Sequence, residues 1–285
     1  MLAPEAQQLA QMGWAAFTID YRLEGDPTQL PWNDELDDVQ AAVRFVAAHA
    51  QRFHFDPQRL GMIGASAGGH LVALVATLGT LDDTTGHDQN AVPGAQPVNP
   101  LVVATWSGVF DLGQLASIAG SPPTGCAGDP ACIGIFLPNA IPTYVGCQES
   151  NCASRYAAAS PLTHVSASTS PMFVANSEEE LIPLQQPDEM IAALQRFGVA
   201  NKLVILPGEL HAEEYASQIM GSTVAFLQPY LVPATPAATD RPAAGPSGGA
   251  GGDDHLPWII AAGAGAVLAL GLMLLLVARG RRVRA

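Results

Sequence analysis

The stretch Leu60-Gly-Met-Ile-Gly-Ala-Ser-Ala-Gly-Gly-His70 decides the fold of this chain. It reads as a short apolar strand, residues 60–63, followed by a tight turn and the start of a helix. Ser66 stands at the turn, with Gly64 two residues before it and Gly68 two residues after it, which is the pattern G-x-S-x-G. Such a turn strains the backbone, and glycine at both places removes the clash that a Cβ would cause. The pattern predicts a serine nucleophile presented at the edge of a sheet.

Strands and helices alternate along the rest of the chain. The predicted strands are residues 14–20, 60–63, 101–106, 172–175 and 202–206. The predicted helices are residues 4–12, 33–46, 68–78, 150–159, 187–197 and 212–227. Because the strands are mostly apolar throughout and are separated by helices, we expect an α/β fold with a parallel sheet that helices cover on both faces.

A serine nucleophile needs a base, and the base needs an acid that orients it. In a sheet of this type the chain order is serine, acid, histidine. Of the seven histidines, His211 alone lies in the loop that directly follows the last predicted strand. The acid should follow strand 172–175, where Glu178, Glu179 and Glu180 stand in a row. We favour Glu179 and leave the other two open, since a run of acids is also typical of a solvated loop.

The charge of the chain indicates which class of partner it does not bind. The formal net charge is −14, and four arginines lie in the last seven residues. Without them, residues 1–257 carry 8 basic and 26 acidic side chains, a net charge of −18. A domain with this charge should be soluble and should repel nucleic acid, so we expect no nucleic-acid partner. The pattern implies no cofactor.

The C-terminal region predicts a membrane anchor. Residues 258–278 form a run of 21 residues without a charge, which is long enough to span a bilayer as a helix. We therefore divide the chain into a globular domain (1–231), a disordered Pro/Gly/Ala linker (232–256), a transmembrane helix (257–278) and a basic tail (279–285). The arginines favour a cytoplasmic tail, which places the domain outside the cell.

The four cysteines support that location. Cys126, Cys132, Cys147 and Cys152 all lie in an insertion between two strands, at about residues 113–160. No histidine accompanies them at zinc spacing, so we expect no metal site. In an exported domain they read as two local disulfides. Three pairings are possible, and Cys126–Cys132 with Cys147–Cys152 is the simplest. The insertion lies where a lid over a substrate pocket would sit.

The motifs together resemble a known superfamily. Asp20-Tyr-Arg-Leu23, Gly64-Ala-Ser-Ala-Gly-Gly-His70, Ser160-Pro161 and Pro207-Gly208 ahead of His211 are similar to the α/β-hydrolase esterases. The group resembled is the bacterial carboxylesterase, lipase and feruloyl-esterase-like one, over about residues 5–228. The acid segment of such enzymes resembles an aspartate-Pro-Leu-Val-Pro run, and lining it up with Leu181-Ile-Pro183 puts Glu179 on the aspartate.

The resemblance also implies segments upstream of Met1. These enzymes carry a His-Gly-Gly-Gly loop whose backbone N–H groups supply half of the oxyanion hole, and about three strands precede this region. The first eight residues have neither the basic nor the apolar part of a signal peptide. We expect a domain incomplete at its N-terminus, a strand 14–20 without its parallel neighbours, and an oxyanion hole reduced to the N–H of Ala67.

The sequence thus predicts a membrane-tethered serine esterase. Ser66 would attack an ester carbonyl of a small-molecule or lipid substrate, and His211 would carry the proton while Glu179 orients it. The second hypothesis is a catalytically impaired hydrolase-like protein that binds or scaffolds at the cell surface. Ser66 and His211 favour the enzyme, and the missing oxyanion loop favours the binding protein.

Overall fold

A computed structural model of the chain describes residues 2–22, 34–79, 99–118, 137–232 and 273–280. The strands are β1 Trp14–Ile19, β2 Phe55–Ala65, β3 Val102–Trp106, β4 Met172–Ser177, β5 Asn201–Leu206 and β6 Met273–Gly280. The helices are α1 Ala3–Gln11, α2 Asp34–Ala48, α3 Ala67–Leu78, α4 Leu112–Ile118, α5 Leu137–Val145, α6 Glu149–Ala159, α7 Gln185–Arg196 and α8 Ala216–Leu231. Two 3₁₀ turns, Pro161–His164 and Ala212–Tyr215, join them.

The strands form one sheet in the order β1-β6-β2-β3-β4-β5. Strands β2 to β5 pair in parallel, each with the next, as the alternation of strands and helices predicts. Because parallel strands all point the same way, the residues that follow β2, β3, β4 and β5 meet at one edge of the sheet. Ser66, Ser107, Glu178 and the loop after Leu206 come together there.

Helices cover both faces of the sheet, which confirms the predicted layering. Side chains alternate across the pleat, so Met62 of β2 points to one core and the neighbouring Ile63 to the other. The first core packs against α2, α3 and α7. The second packs against α1 and α8. Helix α3 packs on β2 and β3 and contacts α2, and its apolar residues 71–76 are buried.

Strand β6 departs from the prediction. Residues 257–278 were expected to form one membrane-spanning helix, and this is wrong for residues 273–278, which lie in a strand. β6 runs antiparallel to both neighbours, with Leu276 opposite Phe17 of β1 and Met62 of β2. An apolar run without periodicity suits a central strand as well as a helix, and local sequence does not distinguish them. Within the described residues, no helix combines the length and hydrophobicity that crossing a bilayer requires.

The same strand bears on a second expectation. Strand β1 was expected to lack its parallel neighbours, and among the described strands its one partner is β6, which is antiparallel and pairs with it from Trp14 to Ile19. The backbone of β1 is therefore paired on that side by a strand from the C-terminal region. The predicted linker from residue 233 onward, residues 257–272 and the end of the basic tail lie outside the described residues.

The predicted insertion contains a small helical subdomain. Helices α4, α5 and α6 share an apolar cluster of their own, built around Leu115, Ile141, Val145 and Tyr156. A disulfide joins Cys147 to Cys152, which is one pair of the simplest pairing. Cys126 and Cys132 lie outside the described residues.

Candidate active site

Ser66 occupies the sharp turn between β2 and α3, as its motif predicts. Its backbone has φ 54° and ψ −123°, a conformation that residues with a Cβ rarely adopt. A Cβ added to Gly64 would lie 2.2 Å from the carbonyl oxygen of Gly68, so only glycine fits there. The Ser66 N–H donates to the carbonyl of Trp106 at 2.8 Å, which fixes the turn to β3. The hydroxyl is therefore held in one place at the edge of the sheet.

The structure brings His211 beside Ser66. The distance from His211 Nε2 to Ser66 Oγ is 2.9 Å. The histidine precedes a 3₁₀ turn, and the backbone N–H of His211 donates to Glu214 Oε2 at 2.8 Å. The side chain of His211 is 15% exposed, so the imidazole is largely shielded but reachable from solvent.

The acid that faces the histidine is Glu180. Glu180 Oε2 accepts a hydrogen bond from His211 Nδ1, and the Glu180 side chain is fully buried. Glu179, the favoured residue, is exposed, and its N–H donates to the carbonyl of Gly208 at 3.0 Å. The choice of Glu179 is therefore corrected to Glu180, one of the alternatives left open. Residues 178–181 form a turn, and this turn directs the third glutamate inward and leaves the first two in solvent.

Backbone contacts hold the acid loop against the histidine loop. The N–H of Glu178 donates to the carbonyl of Leu206 at 2.9 Å. The hydroxyl of Ser177 donates to the carbonyl of Leu210 at 2.6 Å, and the N–H of Ser177 donates to Glu180 Oε1 at 2.9 Å. The positions of the carboxylate and the imidazole thus depend on one continuous network.

Two residues of the site were not identified from the sequence. Ser107, at the end of β3, donates its hydroxyl hydrogen to Glu180 Oε1 at 2.8 Å. Tyr215, four residues after His211, places its hydroxyl 2.7 Å from Ser107 Oγ. Its position in the sequence could have identified Ser107, because it follows the strand next to β2. Polar residues at that point lie at the same edge of a parallel sheet as the nucleophile.

Backbone strain concentrates at this site. Among the described residues, four that are not glycine have a positive φ: His54, Ser66, Ser107 and Ala212. Three of the four belong to the network around the imidazole. Because such conformations are unfavourable unless the surroundings hold them, their clustering is typical of a functional site.

His70 lies near Ser66 but cannot serve as a base for it. Its Nδ1–H donates to the carbonyl of Val109 at 2.9 Å, and its Nε2 lies 3.2 Å from the hydroxyl of Tyr144 in α5. Burial lowers the pKa of His70 to about 4, so the ring is neutral near pH 7. His70 therefore connects the nucleophile helix α3 to the helical insertion.

The arrangement has the geometry of general-base catalysis. A serine hydroxyl contacts one imidazole nitrogen, and a carboxylate holds the other. Ala67, named as an oxyanion donor, is the first residue of α3. The first N–H groups of a helix have no partner inside it and favour negative charge, so this position suits a developing oxyanion. In the described part of the chain, no three His, Cys, Asp or Glu side chains cluster as metal ligands would.

Comparison with known proteins agrees with this architecture. Residues 1–194 match the family model BD-FAE. A protein named "Probable carboxylic ester hydrolase LipM", from Mycobacterium tuberculosis, is 29% identical over 222 residues, 77% of this chain and 46% of the relative. The chain thus spans about half the length of the curated relatives it matches.

Solved structures show the same fold. A truncated carbohydrate esterase from gut microbiota superposes with a TM-score of 0.58 at 16% identity, over 74% of this chain and 72% of that one. The carboxylesterase Cest-2923 from Lactobacillus plantarum gives a TM-score of 0.54 at 19% identity, over 76% and 69% of the two chains. With the family match over residues 1–194, these likenesses establish that the chain belongs to the BD-FAE family and has an α/β-hydrolase fold.

Proposed function

We propose that this protein is a serine hydrolase that cleaves carboxylic esters. The observation that carries the proposal is the continuous contact from Glu180 through His211 to the hydroxyl of Ser66. In this mechanism His211 Nε2 accepts the proton of Ser66 as Oγ attacks the ester carbonyl. The imidazolium then returns the proton to the leaving alcohol, and water releases the acyl group by the same steps in reverse.

Glu180 acts through the imidazole. Its buried carboxylate keeps the hydrogen on Nδ1, so that Nε2 presents a lone pair to Ser66. The same carboxylate stabilises the imidazolium that forms during attack. The N–H of Ala67 supplies one donor to the oxyanion of the tetrahedral intermediate.

The ester as substrate class rests on the relatives. LipM and LipQ of M. tuberculosis carry the names carboxylic ester hydrolase and esterase, and the solved neighbours are named as esterases. The helical insertion, held next to the nucleophile helix by His70 and Tyr144, is placed to border the acyl or alcohol part of the substrate.

The second candidate, a non-catalytic surface binding protein, is less well supported. A binding function does not require a strained serine turn or a buried carboxylate directed at an imidazole. Both features lower the stability of a fold, because strained backbone and buried charge each cost free energy. A function that needs them explains why they are retained.

A fluorophosphonate probe tests the proposal on the full chain. Such a probe reacts with a serine whose hydroxyl a base activates, so we expect covalent labelling at Ser66 alone, together with hydrolysis of a short-chain aryl ester. Labelling should disappear in Ser66→Ala and in His211→Ala. Ser160→Ala is the matched control, because that serine is buried and hydrogen-bonded outside the site. A full chain that melts cooperatively, takes up no probe and hydrolyses no ester would favour the binding protein.

The location given by the sequence stays a prediction: a cell membrane, with the domain outside and residues 279–285 in the cytoplasm. A span needs about 20 apolar residues, so it requires residues 273–278, and the span and β6 exclude each other. If the span forms in place of β6, protease added to intact cells removes the domain. A domain that is digested only after the cells are lysed would contradict the predicted location.

A further inference from the structure

Ser107 stands at the centre of the contacts that surround Glu180. It follows β3, is completely buried, and has φ 51°. Its N–H donates to the carbonyl of Ala175 in β4 at 2.8 Å. A buried residue in the left-handed region is normally glycine, because a Cβ makes that conformation unfavourable. A serine here suggests that its hydroxyl is needed.

Every hydrogen-bonding capacity of that hydroxyl is used. A serine hydroxyl has one hydrogen to donate and two lone pairs that accept. The hydrogen goes to Glu180 Oε1 at 2.8 Å. One lone pair accepts the N–H of Ala212 at 2.8 Å. The other faces the hydroxyl of Tyr215 at 2.7 Å, and Tyr215 shares its one hydroxyl hydrogen between Ser107 and the carbonyl of Ala175 at 3.1 Å. Because an ionised carboxylate only accepts, the direction of the contact between Ser107 and Glu180 is fixed.

The partners of Ser107 belong to both sides of the imidazole. Glu180 carries the acid, and Ala212 directly follows His211 and is itself held at φ 53°. Burial, with the neighbouring charge of Glu180 in second place, raises the pKa of Tyr215, so this residue remains a hydrogen-bond donor. Glu180 Oε1 has two donors, the hydroxyl of Ser107 and the N–H of Ser177, which leaves Oε2 for the histidine.

We propose that Ser107 is a positioning residue, whose hydroxyl fixes the carboxylate of Glu180 and the backbone of the His211 loop relative to each other. This inference rests on the proposed function. Ser107 contacts neither the nucleophile nor the reacting atoms, and it acts through Glu180 and Ala212. A displacement of the imidazole by a fraction of an ångström is enough to slow proton transfer, because the reaction needs close alignment of Nε2 and Oγ.

The test is the variant Ser107→Gly in the full chain. Glycine removes the hydroxyl and also relieves the positive φ, so the fold does not pay for backbone strain. We expect kcat to fall about tenfold to a hundredfold with little change in KM. Because a displaced imidazole activates Ser66 less, the rate at which a fluorophosphonate labels Ser66 should fall by a similar factor.

Two further variants make the result decisive. Ser170→Ala is the matched control, because Ser170 is a buried serine whose hydroxyl donates to the carbonyl of Pro100 at 2.7 Å, at the opposite edge of the sheet. It should lower the melting temperature and leave kcat and the labelling rate at Ser66 unchanged. Tyr215→Phe keeps the ring and removes one donor to Ser107, so it should lower kcat in the same way but by less.

The outcomes separate the two proposals. Unchanged kcat and an unchanged labelling rate in a folded Ser107→Gly would overturn the positioning role, and so would a loss confined to the melting temperature or to KM. Should Ser107→Gly fail to fold, an unchanged kcat in Tyr215→Phe overturns it instead. Failure of the proposed function looks different, since the wild-type chain itself would then neither hydrolyse the ester nor take up the fluorophosphonate at Ser66.

Discussion

Replacing Glu180 with glutamine should lower kcat about 10⁴-fold while the protein remains folded. The carboxamide is nearly the same size, so packing is retained, but it can present an N–H group to His211 Nδ1. The imidazole then favours the tautomer with its hydrogen on Nε2, which faces Ser66 and can no longer accept a proton. Steady-state hydrolysis of an aryl ester, with a thermal melt to verify folding, measures the effect.

The neighbouring glutamates provide matched controls for this prediction. Glu178→Gln and Glu179→Gln make the same chemical change in the same turn, but both side chains are exposed. Each should retain turnover within about twofold of wild type, since screened surface charges contribute little. A large loss in Glu179→Gln, together with near-normal Glu180→Gln, would mean that the active enzyme uses a different acid from the one that contacts His211 here.

Removing strand β6 should abolish cooperative folding. In a chain that ends at residue 272, β1 and β2 lose the strand that pairs with both of them. Each buried backbone group left without a partner costs about 1–3 kcal/mol. Total stability is about 5–15 kcal/mol, so a few such groups are enough to unfold a domain. We expect the shortened chain to be insoluble or to show no sigmoidal melt by circular dichroism.

A point variant tests the same strand without shortening the chain. Leu276 lies in the middle of β6, and proline there removes a hydrogen bond of a central strand, at a cost of about 1–3 kcal/mol for the partner left unpaired. Val283→Pro, three residues beyond the end of β6, should leave the melting temperature unchanged. A shortened chain that is soluble and melts like the full one would show that residues 273–280 are dispensable for the sheet and available for another environment, such as a bilayer.

The parts of the fold that were predicted correctly depend on local pattern. Strand β2, the turn at Ser66 and helix α3 follow from one stretch of sequence, because the spacing of its glycines permits few other conformations. The parallel order of β2 to β5 follows from the alternation of strands and helices. β6 was missed because its assignment depends on a place in the sheet between β1 and β2, about 200 residues away in the chain.

The site residues also divide into those that local sequence order identifies and those that only the tertiary structure identifies. His211 was identified by its order after the last strand, which is a property of the sequence. The choice among three adjacent glutamates depended on how residues 178–181 turn, and one residue of register decides which side chain enters the protein. Ser107 and Tyr215 were missed because hydroxyl groups carry no charge pattern, and their role appears only when β3 and the His211 loop are adjacent.

The central position of β6 has a consequence for biosynthesis. During synthesis from the N-terminus, the other five strands are complete before β6 exists, so the backbone groups of β1 and β2 that pair with β6 remain unpaired. The long loop between β2 and β6 must close before these strands can pair, which slows folding, and unpaired strand edges promote association between chains. Chaperone binding to the nascent domain should therefore persist until synthesis has passed residue 280.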